Sequence, residues 1–405
     1  MGELSTRRLR TDEQGDFFDV FAAAFLDDSL EAAREVCSST FRAELAHGVF
    51  DGDELIGCAG RFDQEITVPG PAQCPLAAVT AVGVKPGHRR RGVLTALMRA
   101  QLDALHDGGV PVAALYASEA GIYGRFGYGL ASFESHLAVP RGAAFLSTVD
   151  VDGRPVREVG RERAVEVVRA RYPAVAETRT GWLSRSDGSW EARVLDWPNA
   201  HGGHSAPRFA VHPDGYAIYR PKRKWTARGP AHELHVAELV AATPQAYAAL
   251  WRYLLDVDLV SEVHWRKAAL DEPVLGMLAN PRAADRRVVD GLWVRLINLD
   301  RALMARRYSA PADVVLDVTD RFCPWNQGRW RLRTDAAGSA ATVTRTEETG
   351  HLSLDVTDLA AAYLGGSTLA GLARSGRVVE HEPGALVTAS RAFATDCAPH
   401  CQEGF

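Results

Sequence analysis

Residues Val79–Met98 read VTAVGVKPGHRRRGVLTALM. Three kinds of segment meet in this stretch. Ala77–Val84 is an apolar run rich in Val and Thr, which suits a buried strand. Lys85–Gly92 is a loop holding His88, Arg89, Arg90 and Arg91. From Val93 the chain places Leu94, Leu97, Met98, Leu102 and Leu105 at helical spacing. Gly108 and Gly109 stop that helix, and VPVAALYAS, Val110–Ser118, resumes as a strand. Strand, loop, helix and strand make an α/β unit. The first amides of the helix have no intrahelical acceptors, and the helix dipole is positive there. Gly92 admits a ligand close to the backbone, and the arginines add charge. The stretch is built to cradle a pyrophosphate. It has neither the Walker spacing nor the dinucleotide-binding spacing.

Outward from this unit the pattern repeats, then changes. FFDVFAAAFLDD, Phe17–Asp28, is helical, and GDELIGCAGRF and QEITVPG before the central stretch are strands. HELHVAELVAAT, His232–Thr243, is a strand that runs into a helix with Thr243 as N-cap and Pro244 at its first position. Leu259–Trp265 is the next strand. This is a degenerate second copy, and it has no counterpart of GHRRRG. From Gly291 onward an apolar strand and a helix open a third part. Alternating strands follow, then the helical segments Leu359–Gly376 and Gly384–Thr395, as expected of a separate α+β domain.

Composition narrows the functions. At 405 residues, two to three domains are expected. The formal charge of −5 argues against nucleic acid and permits cationic ligands. No run of 18 apolar residues exists, so no membrane span is expected. The first residues lack the apolar core of a secretory signal, and six cysteines are too few for a disulfide scaffold. A reduced, cytoplasmic protein is the expectation. Cys397, His400 and Cys401 stand close enough in CAPHC to hold a metal or a disulfide. RPKRKW, Arg220–Trp225, reads as a solvated basic turn.

Gly121–Gly129, GIYGRFGYG, packs four glycines among Tyr123, Phe126 and Tyr128. The central loop resembles the acyl-CoA loop R-x-x-G-x-G/A of the GNAT acetyltransferases. Arg89 and Gly92 fit it, and Leu94 stands where a small residue is usual. HRRRG, ALYASEAGIYGRFGYG, HPDGYAIYR, GLWVRLINL and a final Phe together resemble the Eis (enhanced intracellular survival) family over the whole chain. The resemblance implies an α/β (α+β) protein: two tandem GNAT-like domains, then a sterol-carrier-protein-like α+β domain. The expected bounds are residues 1–137 with the acetyl-CoA site, 138–290 without CoA, and 291–405. It implies acetyl-CoA-dependent N-acetylation of small-molecule amines, aminoglycosides being the substrate class, by a homohexamer.

Carried over by position, Val82, Gly83 and Val84 lie along the pantetheine arm. Arg90, Arg91, Gly92, Val93, Leu94 and Thr95 hold the pyrophosphate, and Ser118 and Glu119 contact the cofactor beyond the second strand. Tyr123 falls on the general acid and the Phe405 carboxylate on the general base. Asp27 and Glu403 supply acidity for a polycationic substrate, although Gly404 stands where the family can carry an acid. The chemistry needs such groups. An ammonium must lose a proton before it attacks, and a departing thiolate gains from a proton donor. On this reading the glycines of Gly121–Gly129 let backbone pass close to the thioester, and Phe126 and Tyr128 pack against Tyr123. Lipid binding on a GNAT scaffold and acetylation of protein lysines are the alternatives.

Overall fold

The computed structural model describes residues 4–26, 41–190, 203–335 and 337–405. It forms two compact units. One comprises Met1–Ser132, Leu292–Asp396 and Glu403–Phe405, and the other Phe133–Gly291 and Cys397–Gln402.

The chain begins in the first unit with strands β1 (Leu4–Arg8), β2 (His47–Asp51), β3 (Glu54–Val68), β4 (Ala72–Val84), β5 (Val112–Tyr116) and β6 (Gly129–Leu130). Helix α1 (Gln14–Phe25) follows β1, α2 (Val93–Asp107) joins β4 to β5, and the one-turn α3 (Ala120–Tyr123) follows β5. Helical spacing buries Leu97, Met98, Leu102 and Leu105 of α2 completely. Each such side chain stabilises the fold by roughly 1.5–3 kcal/mol. Gly83 and Gly60 let α1 settle on the sheet. A Cβ at Gly83 would lie 2.8 Å from Ala24 Cβ, and one at Gly60 3.2 Å from the Phe17 ring.

The second unit holds β7 (Phe133–Pro140), β8 (Arg157–Val159), β9 (Arg208–His212), β10 (Gly215–Lys222), β11 (Trp225–Thr226), β12 (Gly229–Pro230), β13 (His232–Ala241), β14 (Val260–Ala268) and β15 (Arg287–Asp290). Seven of these form one sheet in the order β15-β7-β14-β13-β10-β9-β8, and β11 and β12 make a separate hairpin. Helices α4 (Arg161–Ala176) and α5 (Pro244–Asp256) belong here. The Ala246 N–H donates to Thr243 Oγ1 at 3.2 Å, so Thr243 caps α5 as its sequence implies. Only Ala242 and Thr243 separate β13 from α5, whereas Lys85–Gly92 separates β4 from α2. The second copy has no loop of that length.

Leu292–Leu296, β16, does not open the third part. It inserts into the first sheet, whose order is β1-β2-β3-β4-β5-β16-β6. Phe133–Pro140, which the sequence divides between the first two domains, pairs throughout with strands of the second sheet. The physical reason is alternation and pairing: Leu292, Val294 and Leu296 are fully buried between β5 and β6, a position that local sequence does not reveal.

The third part then forms a five-stranded sheet from β17 (Asp313–Thr319), β18 (Gly328–Thr334), β19 (Ala341–Arg345), β20 (Leu352–Asp355) and β21 (Val378–Glu380). Helices α6 (Leu299–Ala305), α7 (Val356–Ala362), α8 (Leu369–Arg374) and α9 (Ala385–Phe393) accompany it. Arg306 is buried among these helices. Its guanidinium donates to Tyr363 O and to Phe393 O, carbonyls at the ends of α7 and α9 that lack intrahelical donors. Among the described residues no helix is long and apolar enough to cross a membrane.

Candidate active site

Strands β4 and β5 run parallel but pair only at Leu76↔Val112, Ala77↔Ala113 and Ala78↔Ala114. On its other side β4 stays paired to β3 as far as Gly57↔Val84. A register shift between Cys58 and Gly60 bends β4 at the same level, and Ala81 there takes φ +51°. Beyond Ala78, β4 and β5 therefore part, and the β5-facing backbone edge of Val82, Gly83 and Val84 is left without a strand partner. Such an edge offers N–H and C=O groups to an extended ligand.

The loop leads from this edge to α2. Gly92 is the N-cap at φ +83°, so its left-handed backbone suits glycine. The amides of Val93, Leu94 and Thr95 start the helix and precede its first internal bond, from Ala96 N to Gly92 O. Arg89 and Arg90 are exposed, and neither has an ion-pair partner among the described residues. Arg91 differs. It donates to Asp51 Oδ2 at 2.8 Å and lies 2.7 Å from His88 Nδ1, which fixes the loop to β2. Arg91 thus shapes the cradle, and its charge is already matched by Asp51. The observed geometry fits a pyrophosphate: orphan amides, a glycine cap and two unpaired guanidinium groups.

Tyr123 ends α3 and is buried to 6% exposure. Burial pushes its hydroxyl up to about 12, and the Glu119 carboxylate adds to the rise. The phenol is therefore neutral at ordinary pH. Ser118 and Glu119 are exposed just after β5. The Phe405 ring packs on Tyr116, the last residue of β5, with centroids 5.3 Å apart. Tyr116 and Phe405, 289 residues apart in sequence, thus meet at the end of one strand. Glu403 is buried, and Asp27 lies outside the described residues.

The glycines of Gly121–Gly129 do not share one purpose. A Cβ on Gly121 or Gly124 would meet nothing within 4 Å. At Gly127 it would fall 2.5 Å from Arg295 Nη1, and at Gly129 2.0 Å from Thr357 O. The last two glycines therefore serve packing against Arg295 and α7. This corrects the expectation that all four lie along the thioester. Tyr128 packs edge-on to Tyr123, with centroids 5.9 Å apart, and is fully buried, as expected of a structural ring. Sequence reasoning missed Arg295 and Asp320, whose buried bond at 2.7 Å stands behind this turn. The available signal was a lone Arg in an otherwise apolar strand.

The CAPHC segment is neither a metal site nor a disulfide. Neither Cys397 nor Cys401 forms a disulfide. His400 accepts from Trp182 Nε1 at 3.3 Å and lies 2.8 Å from Lys267 O, so both ring nitrogens are used. Asp152, His212 and Asp214 also converge closely enough to suggest a cation. Arg154 already bridges both carboxylates. The Asp214 N–H donates to His212 Nδ1 at 3.1 Å, which places the ring proton on Nε2, the atom aimed at Asp152. That tautomer has no lone pair left for a metal.

Comparison with known families agrees with this architecture. Residues 5–131 and 181–297 match models of the acetyltransferase (GNAT) domain, and residues 299–402 match the sterol carrier protein domain. The chain is an N-acetyltransferase built from two GNAT domains and a sterol-carrier-like domain. It is 41% identical over 407 residues to an uncharacterised N-acetyltransferase of Streptomyces avermitilis, covering 98% of this chain and 99% of that one. It is 32% identical over 397 residues to the N-acetyltransferase Eis of Mycobacterium tuberculosis, covering 95% of each. The crystal structure of Eis1 from Mycobacterium abscessus superposes with a TM-score of 0.86 at 35% identity, over 99% of this chain and 100% of that one. The chain belongs to the Eis family.

Proposed function

We propose that the first domain transfers an acetyl group from acetyl-CoA to primary amines of small polycationic molecules, aminoglycosides among them. The observation that carries this reading is the Phe405 ring on Tyr116, at the mouth of the opened strands and a few residues before Tyr123. The edge of Val82–Val84 would hold the pantetheine arm. Gly92, Arg90 and the amides of Val93, Leu94 and Thr95 would hold the pyrophosphate, with Arg91 shaping the loop through Asp51 and Ser118 and Glu119 lying beyond β5. Acetyl-CoA supplies an activated thioester.

The chain's own groups do the rest. The Phe405 carboxylate takes the proton from the substrate ammonium. Its reference pKa of about 3.5 makes it a weak base, which partial burial or a relaying water improves. Backbone N–H groups of the β4 edge polarise the carbonyl oxygen. Tyr123 is neutral and donates a hydrogen bond to the sulfur as the C–S bond breaks. An acid with a pKa near 12 gives up its proton reluctantly, so its main service is that bond. The ammonium nitrogen gives up two protons, one to the Phe405 carboxylate before attack and one as the amide forms; the departing thiolate takes one and the other passes to solvent. Glu403, with Asp27, gives the acidity that a polycation requires.

The lipid-binding alternative is weakened by Arg306, a buried guanidinium lying among Tyr308 and Phe393 in the helical part of the third domain. Purified protein with acetyl-CoA and a panel of aminoglycosides, polyamines and lysine peptides should release free thiol with the small polycations. One residue added after Phe405 should abolish turnover and leave CoA binding intact. Full turnover with that extension would remove the terminal carboxylate from the reaction. Tight sterol binding with no thiol release from any amine would establish the alternative. The hexamer implied by the family is checked by sedimentation velocity.

A further inference from the structure

We propose that Arg295 is a positioning residue that clamps the Tyr123 turn to the sterol-carrier-like domain. This rests on the role proposed above for Tyr123. Arg295 is completely buried on β16 and donates from Nη2 to Asp320 Oδ2 at 2.7 Å. Asp320 is held from behind. The Cys323 N–H donates to its Oδ1 at 2.8 Å, and Asn326 Nδ2 to its Oδ2 at 3.2 Å. Asn326 also donates to Leu296 O at 3.0 Å, which ties the loop back to the strand that carries Arg295. The guanidinium is therefore fixed in place by the third domain.

Its other side meets the turn. Gly127 takes φ +82°, and a Cβ there would fall 2.6 Å from Arg295 Cζ. Only glycine lets the guanidinium approach so closely. Two backbone bonds close the turn, Gly127 N to Gly124 O at 2.9 Å and Tyr128 N to Tyr123 O at 3.3 Å, and its three rings pack in the core beside it. A second tie comes from the same domain, since Thr357 Oγ1 donates to Gly124 O at 3.3 Å. Arg295 Nε and Nη1 are buried with no hydrogen-bond partner among the described residues. A buried ion pair of this kind adds little stability over an apolar pair of similar volume, so placement of the turn is what it contributes.

The test uses the full chain carrying Arg295→Met with Asp320→Asn, which removes both charges and leaves an acceptor for the Cys323 N–H. Hydrogen exchange of residues 120–129 reads the clamp, and thiol release reads turnover. We expect faster exchange there, unchanged exchange in α2, a kcat lower by roughly 10²-fold and an unaltered KM for acetyl-CoA. Gly127→Ala, which pushes the guanidinium away, should give the same pattern and serves if the double variant does not fold. Parental exchange and kcat in a folded variant would overturn the proposal. So would a raised KM with kcat intact. Tyr123→Phe separates the two readings. Full activity in that variant, with faster exchange and lower kcat in the others, removes Tyr123 as proton donor and leaves the clamp standing.

Discussion

Gly129→Ala should destabilise the first unit more than a surface alanine substitution can. The added Cβ would lie 2.0 Å from Thr357 O and 2.4 Å from Ala361 N, both backbone atoms of α7. Ordinary contact begins near 3.4 Å, so the helix must withdraw by roughly 1.4 Å. Overpacking of this kind costs about 1–3 kcal/mol. Withdrawal also breaks the bond from Thr357 Oγ1 to Gly124 O, worth about 0.5–1.5 kcal/mol. The expected loss is therefore about 2–4 kcal/mol. Gly121→Ala and Gly124→Ala are the controls. Both positions are open, and Gly124 already has helical angles of φ −57° and ψ −36°. Alanine there should stabilise by about 0.4–1 kcal/mol through the unfolded state. The assay is urea unfolding followed by tryptophan fluorescence, with thiol release alongside. Parental stability in Gly129→Ala would refute the reasoning. A raised acetyl-CoA KM in Gly121→Ala or Gly124→Ala would instead show that those two glycines face the cofactor.

Tyr128→Phe should be neutral or stabilising by about 1–3 kcal/mol, because the Tyr128 hydroxyl is buried with no hydrogen-bond partner among the described residues; Tyr123→Phe should lower kcat by roughly 10²-fold, and thermal melts with steady-state kinetics distinguish them. Arg90→Ala should raise the acetyl-CoA KM by roughly tenfold, since its charge is unpaired in the loop. Arg91→Ala should chiefly lower the melting temperature, since it ties the loop to Asp51. His400 is held neutral: burial pushes its ring down to about 3. The unfolded ring titrates near 6.5, so between pH 6.5 and 3 the unfolded chain binds the extra proton and stability falls as pH falls. His400→Gln should flatten that acid limb in urea midpoints measured from pH 7.5 to 4.5.

The strand–loop–helix unit of Ala77–Leu105 was legible because each of its signals is local. Val-rich strand, glycine cap and helical leucine spacing all lie within thirty residues, and each acts on its own neighbours. The Thr243 cap and the missing loop of the second copy were legible for the same reason. The destination of Leu292–Leu296 was not, because an apolar strand can pair with any edge of suitable register, and its partners lie about 180 residues earlier. Gly127 and Gly129 looked alike with Gly121 and Gly124 because composition does not say what approaches a Cβ. Arg91 looked like its neighbours until Asp51 was placed beside it. The role expected of Phe405 came from family resemblance, and its packing on Tyr116 was not foreseen, since nothing near Phe405 points to β5.

The position of β16 bears on how the chain is made. A ribosome that has released residues 1–132 has produced β5 and β6 but not the strand that lies between them. Roughly ten to thirty seconds of synthesis pass before Leu292–Leu296 emerges. During that interval β5 is an open edge, apolar and unpaired, of the kind that recruits other strands. The first GNAT domain therefore cannot be excised as an N-terminal fragment. It should aggregate when truncated before Leu292 and require chaperone shielding in the cell until its missing strand arrives.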